Sequence, residues 1–306
     1  MMKSISIALL LFVSTVPGWA QSNGDREKMT PDTPMLGPHF ARGEAHAKPN
    51  HSPNLIYHNG DILPSTVTAS IFWGASWTDP SFVGDKISGL DLWYQSVGGS
   101  DYAKTCDEYT DSSGPVTKNI SYSGHFIDTS AAPAHAPRTS TVLQEVCSVL
   151  AAHGVTPVAN GYYAVYIDTP RNNANYCAWH SYGSCNNVPV EFGFFFNLDN
   201  DPGCDPQDTS GVHSQGLAAL ANVTGHELSE TRTDPRGAGW YDSSGGENAD
   251  KCAWSFGTPL IQFSNHSQWK IQGNWSNAAY NGNIGYLNLS GQPGCLDGGN
   301  YPAVAP

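Results

Sequence analysis

Gly225-His226-Glu227-Leu228-Ser229-Glu230, continued by Thr231-Arg232-Thr233-Asp234-Pro235, is the stretch from which the rest of the chain can be read. Residues four apart on a helix share a face, so His226 and Glu230 would point the same way, with Glu227 one residue round from His226. The chain has 11 His and 8 Glu in 306 residues. Chance would then supply a His-Glu-x-x-Glu only about 0.008 times. Ser214 opens the helix that carries the motif, and Asp234-Pro235 marks its end.

Such a helix suits a hydrolytic metal centre, which needs few protein ligands, a position open to water and a base beside it. It is similar to the zinc-binding helix of zincins, with Glu230 where a second His usually stands. His226 and Glu230 are the expected ligands, and Glu227 the base that takes a proton from bound water. Downstream, Glu247 is the expected third ligand, carried by a second short helix, and Asp250 would orient the outer nitrogen of His226. That arrangement resembles the thermolysin-like gluzincins. Asp242 is the fallback ligand, although it also reads as a turn residue, and Asp234 reads as a helix cap. Zinc is the expected cofactor; the carboxylate-rich set also admits calcium or manganese. His180 and Tyr241 are candidates to steady a developing oxyanion, and His180 could itself ligate the metal.

Outward from the motif, the sequence predicts α/β or α+β architecture with a mixed sheet packed against helices. Thr66–Trp73, 119–127, 162–167 and 190–196 read as strands, the last forming the edge of the cleft. Residues 82–97 and a segment starting at Thr139 or Ser140 and closing at Gly154 have helical spacing. The stretch Tyr176-Cys177-Ala178-Trp179-His180-Ser181-Tyr182-Gly183 reads as a Cys/Asn/Gly loop. Beyond Cys252 the chain reads as β and loop.

At the N-terminus, Lys3, an apolar run from Ile5 to Val16 and Pro17-Gly18-Trp19-Ala20 have the order of a secretory signal, residues 1–20. Residues 21–54 read as a flexible segment or propeptide, in which His39, His46 and His51, and His58 just beyond, are loop histidines. Residues 55–306 read as one domain. Export places seven cysteines in an oxidising compartment: three bridges and one left over, with Cys177 and Cys185 able to close a short loop. A formal charge of −13 argues against nucleic acid and anionic membrane as partners. The expected product is a secreted monomer acting on protein or peptide.

Several stretches carry a family resemblance: Asn54-Leu55-Ile56-Tyr57-His58-Asn59-Gly60, the Tyr176–His180 segment, His226 through Pro235, Trp240 through Trp254, and Cys295. Over most of residues 54–296 the chain resembles the phosphate-induced, EXORDIUM-like family. The resemblance implies export, a single domain and a shared fold. Plant members are secreted, cell-wall-associated proteins linked to growth signalling, and their matching helix lacks the His and Glu residues; microbial members carry the metal-type helix. Two functions follow as expectations: a metal-dependent endopeptidase, or a non-catalytic extracellular binding or signalling protein with a structural ion.

Overall fold

Four segments dominated by apolar, β-branched and aromatic residues build the centre of the sheet and one of its edges. A computed structural model describes residues 32–44 and 53–304, so the signal-like segment lies outside the described residues. The main strands are β1 (Leu36–Phe40), β2 (Thr66–Trp73), β3 (Ile120–Asp128), β4 (Gly161–Pro170), β5 (Tyr176–Cys185) and β6 (Val188–Asn197). They form one sheet in the order β1-β5-β6-β4-β2-β3. β2, β3, β4 and β6 run parallel, β5 runs against them, and β1 is antiparallel to β5. β4 and β6 are buried almost throughout, as strands covered on both faces are, whereas the edge strand β3 alternates half-buried with exposed.

The chief helices are α1 (Lys86–Val97), α2 (Thr139–Ala152) and α3 (Gln215–Thr233). α3 packs on β5, β6, β1 and α1. Every residue from Gly216 to Thr233 is buried, which makes it a core helix rather than an amphipathic surface one. It starts where Ser214 Oγ accepts from Leu217 N at 3.1 Å. It stops where Asp234 turns its carboxylate onto the amides of Ala238 and Gly239, at 2.7 and 2.6 Å. Asp234 thus plays the capping part. The mixed α and β content gives the expected α+β class.

Four local expectations are corrected. The helix expected over 82–97 is broken at Gly84, whose φ is +51°, and α1 begins only at Lys86. The Cys/aromatic stretch is the strand β5, held between β1 and β6, not a loop. β6 lies inside the sheet between β5 and β4, so it cannot be the cleft edge. Finally, part of the segment read as flexible is β1, an edge strand of the main sheet. It contains His39, which is fully buried rather than a loop histidine; His46 and His51 lie outside the described residues.

The disulfides are Cys147–Cys185, Cys177–Cys204 and Cys252–Cys295, with Cys106 free and buried. Cys177 and Cys185 cannot pair with each other: they sit near opposite ends of one extended strand, some 25 Å apart at about 3.3 Å per residue. Past α3 the chain makes short two- to four-residue strands and a one-turn helix, Asn277–Asn281, around a second apolar cluster with Leu55, Tyr109 and Trp275. Among the described residues no helix is long and apolar enough to cross a membrane.

Candidate metal centre

α3 presents His226 and Glu230 one turn apart, and Nε2 of His226 lies 3.1 Å from Oε1 of Glu230. β5, antiparallel to its neighbours, places His180 in the same region. Its Nε2 is 3.3 Å from Oε2 of Glu247 and 4.0 Å from Oε2 of Glu230. Asp250 Oδ1 stands 3.7 Å from His226 Nε2, while its backbone N donates to Glu230 Oε1 at 2.8 Å. Two sets of side chains are therefore close enough to hold a metal ion: His180, Glu227 and Glu230, and His226, Glu230 and Asp250. Glu230 belongs to both.

The electrostatics point the same way. His180, His226, Glu227 and Glu230 are all completely buried. Burial drives the carboxyls of Glu227 and Glu230 well above their ordinary range, and the nearby charges of Asp250 and Glu247 add to it. Burial likewise pushes His180 down to about 4 and His226 further, the latter aided by His39 and His180. The short His226–Glu230 distance suggests an ion pair, but desolvation favours the neutral form of both partners, so the pair is neutral when no cation is near. Both oxygens of Glu227, Oε2 of Glu230, Nε2 of His226 and Nδ1 of His180 have no hydrogen-bond partner. Buried polar atoms left unmatched are costly, and here they converge with four carboxyls and two imidazoles. A cation satisfies such a donor set, and the residues fit one.

The expected residues fall into place unevenly. His226, Glu227, Glu230 and His180 come together. Glu247 meets the cluster through His180, and neither ligand-competent set includes it. It does not ride on a short helix; the one-turn 3-10 helix, Asp250–Cys252, starts three residues later. Asp250 faces the inner nitrogen of His226, not the outer one. Asp242 accepts from the amides of Ser244 and Gly246 and from Lys251 Nζ at 2.8 Å, a turn held by an ion pair. Tyr241 stacks on His58 at 3.6 Å between ring centroids, and its carbonyl accepts from the His58 ring. Neither Asp242 nor Tyr241 joins a ligand-competent set.

Four residues went unforeseen. Gln272 fills the place expected of Asp250: its Nε2 is 3.0 Å from His226 Nδ1. His39 Nε2 donates to Gln272 Oε1 at 2.9 Å, and its ring meets His226 edge-on at 4.2 Å. Gly37 passes so close that a Cβ there would lie 1.9 Å from Glu230 Oε2. Tyr162 on β4 has a buried, unpartnered hydroxyl that burial holds protonated, with Tyr166, Glu227 and Glu230 adding to the effect. No local pattern flags these residues, since each reaches the cluster through tertiary packing. No protein-family model matches the chain, and neither curated proteins nor solved structures give a match.

Proposed function

We propose that the chain is a secreted metal-dependent hydrolase, a zinc endopeptidase acting on protein or peptide. The observation that carries this is the convergence of His180, His226, Glu227 and Glu230 in one buried, unsatisfied cluster. Glu230 would hold the ion together with His226 and Asp250, or with His180, and Glu247 stands beside them. Two imidazoles favour zinc over calcium; the carboxylates leave manganese as the alternative. A bound zinc ion would polarise the substrate carbonyl and acidify water. Glu227, one residue along the helix from His226 and with its proton affinity raised by burial, would take the proton from water and deliver it to the departing amine. Three disulfides support an extracellular protein, and the formal charge of −13 disfavours nucleic acid and anionic membranes as partners.

The test is Glu227→Gln. It should keep its metal and lose casein hydrolysis by about 100- to 10,000-fold; a variant that retains both metal and full activity overturns the proposal. The second reading, a non-catalytic extracellular binding protein like the plant EXORDIUM-type members, draws on one observation: the cluster is fully buried, with Gly37 pressed against it. Chelation that lowers the melting temperature of a protein that never cuts any substrate would select that reading.

A further inference from the structure

The side of the sheet nearest the cluster is already taken. β5 carries His180, and its outer edge is paired with β1: Leu36 stands opposite His180, His39 opposite Ala178 and Phe40 opposite Tyr176. Between Leu36 and His39 β1 has one residue more than β5, so Gly37-Pro38 bulges over the cluster. Gly37 adopts φ +47°, and a Cβ on it would sit 1.9 Å from Glu230 Oε2 and 2.9 Å from His180 Nε2. Only bare glycine backbone can cross there.

The backbone of the same strand meets the other reactive groups. The backbone at Gly37 lies near the His226 ring and that at His39 near Glu227, yet Nε2 of His226 and both Glu227 oxygens have no hydrogen-bond partner. An extended peptide that adds to a sheet edge is recognised in just this manner, through main-chain pairing with side chains alternating to either side. The bond after Gly37 leads into Pro38, a tertiary amide without an N–H. The strand is held at both ends: Thr33 Oγ1 donates to the Tyr182 carbonyl at 2.9 Å, and Trp254 Nε1 donates to the Phe40 carbonyl at 2.9 Å.

We propose that the β5 edge over His180, Glu227 and Glu230 is the seat of an extended peptide ligand, and that β1 is its resident occupant, so that the intact chain is a latent form. The proposal rests on the hydrolase reading for what the seat is used for, and on the β1 geometry alone for its existence. Because β1 is continuous with the rest of the chain, freeing it requires a break on the C-terminal side of Phe40. A glycine flanked by apolar residues, as in Leu36-Gly37-Pro38-His39-Phe40, is then the type of sequence the seat accepts.

The experiment uses the full chain with residues 45–50 replaced by the recognition sequence of a site-specific protease. After cleavage, a fluorescein-labelled peptide spanning 32–44 is titrated in, and casein hydrolysis is followed with and without chelator. The labelled peptide should exchange into the cleaved protein, while its Gly37→Ala form should bind about 10- to 100-fold more weakly because the added methyl overlaps Glu230. Casein hydrolysis should rise on release and fall again when the unlabelled peptide is added. The proposal is overturned if the released body unfolds, if the peptide never exchanges, or if the Gly37→Ala peptide binds equally well. Exchange with the glycine preference but no hydrolysis in either form supports the seat and removes the hydrolase reading.

Discussion

Gln272 Nε2 lies 3.0 Å from Nδ1 of His226, and the amide that carries it cannot easily turn over. Its Nε2 also donates to the Ala249 carbonyl at 2.8 Å, and its Oε1 accepts from the Trp254 amide at 3.3 Å. The carboxamide therefore offers a proton to Nδ1, which leaves the imidazole proton on Nε2, the nitrogen that faces Glu230. A cation at Nε2 reverses that demand, because Nδ1 must then carry the proton and seek an acceptor.

Gln272→Glu supplies that acceptor. Zinc affinity, measured by competition with a chromophoric chelator, should tighten by about tenfold, even as the lost bond to Ala249 lowers the melting temperature. Weaker zinc binding by this variant would show that Nε2 of His226 is not a ligand.

Glu230→Gln separates two effects that the native residue combines. Without metal, the change removes a carboxyl that burial makes costly to ionise and keeps an oxygen for the Asp250 amide, so the apoprotein should melt no lower than the native one. With metal, it removes the one residue common to both ligand-competent sets, so the rise in melting temperature on adding zinc should vanish. A zinc-dependent rise of native size in Glu230→Gln would place the ion elsewhere.

The helix that bears this site could be read from the chain because its signals are local: Ser214 at one end, Asp234-Pro235 at the other, and His226 and Glu230 one turn apart. β2, β4 and β6 were legible for a similar reason, being continuous apolar runs. β5 was not, since Cys177, His180 and Ser181 look like loop residues until burial between two strands is known. β1 was hidden more deeply. Five residues containing Gly37 and Pro38 have no strand propensity, and they are extended only because β5 offers an edge to pair with. The same holds for Gln272, which meets His226 across 46 residues of chain.

Glu145 gives the protein a pH dependence away from the candidate metal centre. Burial on α2, followed by the charge of Asp128, pushes its carboxyl up to about 8. Asp128, against the effect of its own burial, is held low by Ser130 and by Glu145, so the two share one proton. The unfolded chain releases the Glu145 proton near 4.5 and the folded one only near 8, so the native state binds more protons between these values. Stability therefore falls as pH rises through that window, and the penalty is complete above about 8. Local relaxation and water entry relieve part of the cost when the carboxyl ionises, so about 1–2 kcal/mol is expected rather than the full shift. Urea titrations should show Glu145→Gln matching the native protein at pH 4 and exceeding it by that amount at pH 9; equal stabilities at pH 9 would refute the shared proton.

Cys106 is the cysteine left over from the three bridges, and its surroundings make it inert. Burial raises its thiol above the ordinary value, only partly offset by the Arg232 charge, and Asn248 Nδ2 donates to its Sγ at 3.3 Å. Reaction requires a thiolate that a reagent can reach, and neither condition is met in the folded state. A disulfide reagent such as DTNB should label the native protein only as fast as the molecule opens, with the rate rising in step with urea-induced unfolding. Because Asn248 adjoins Glu247, any label that did enter would disturb the side chain bonded to His180. Rapid stoichiometric labelling without loss of structure would mean that Cys106 is exposed by a local motion beside the candidate metal centre.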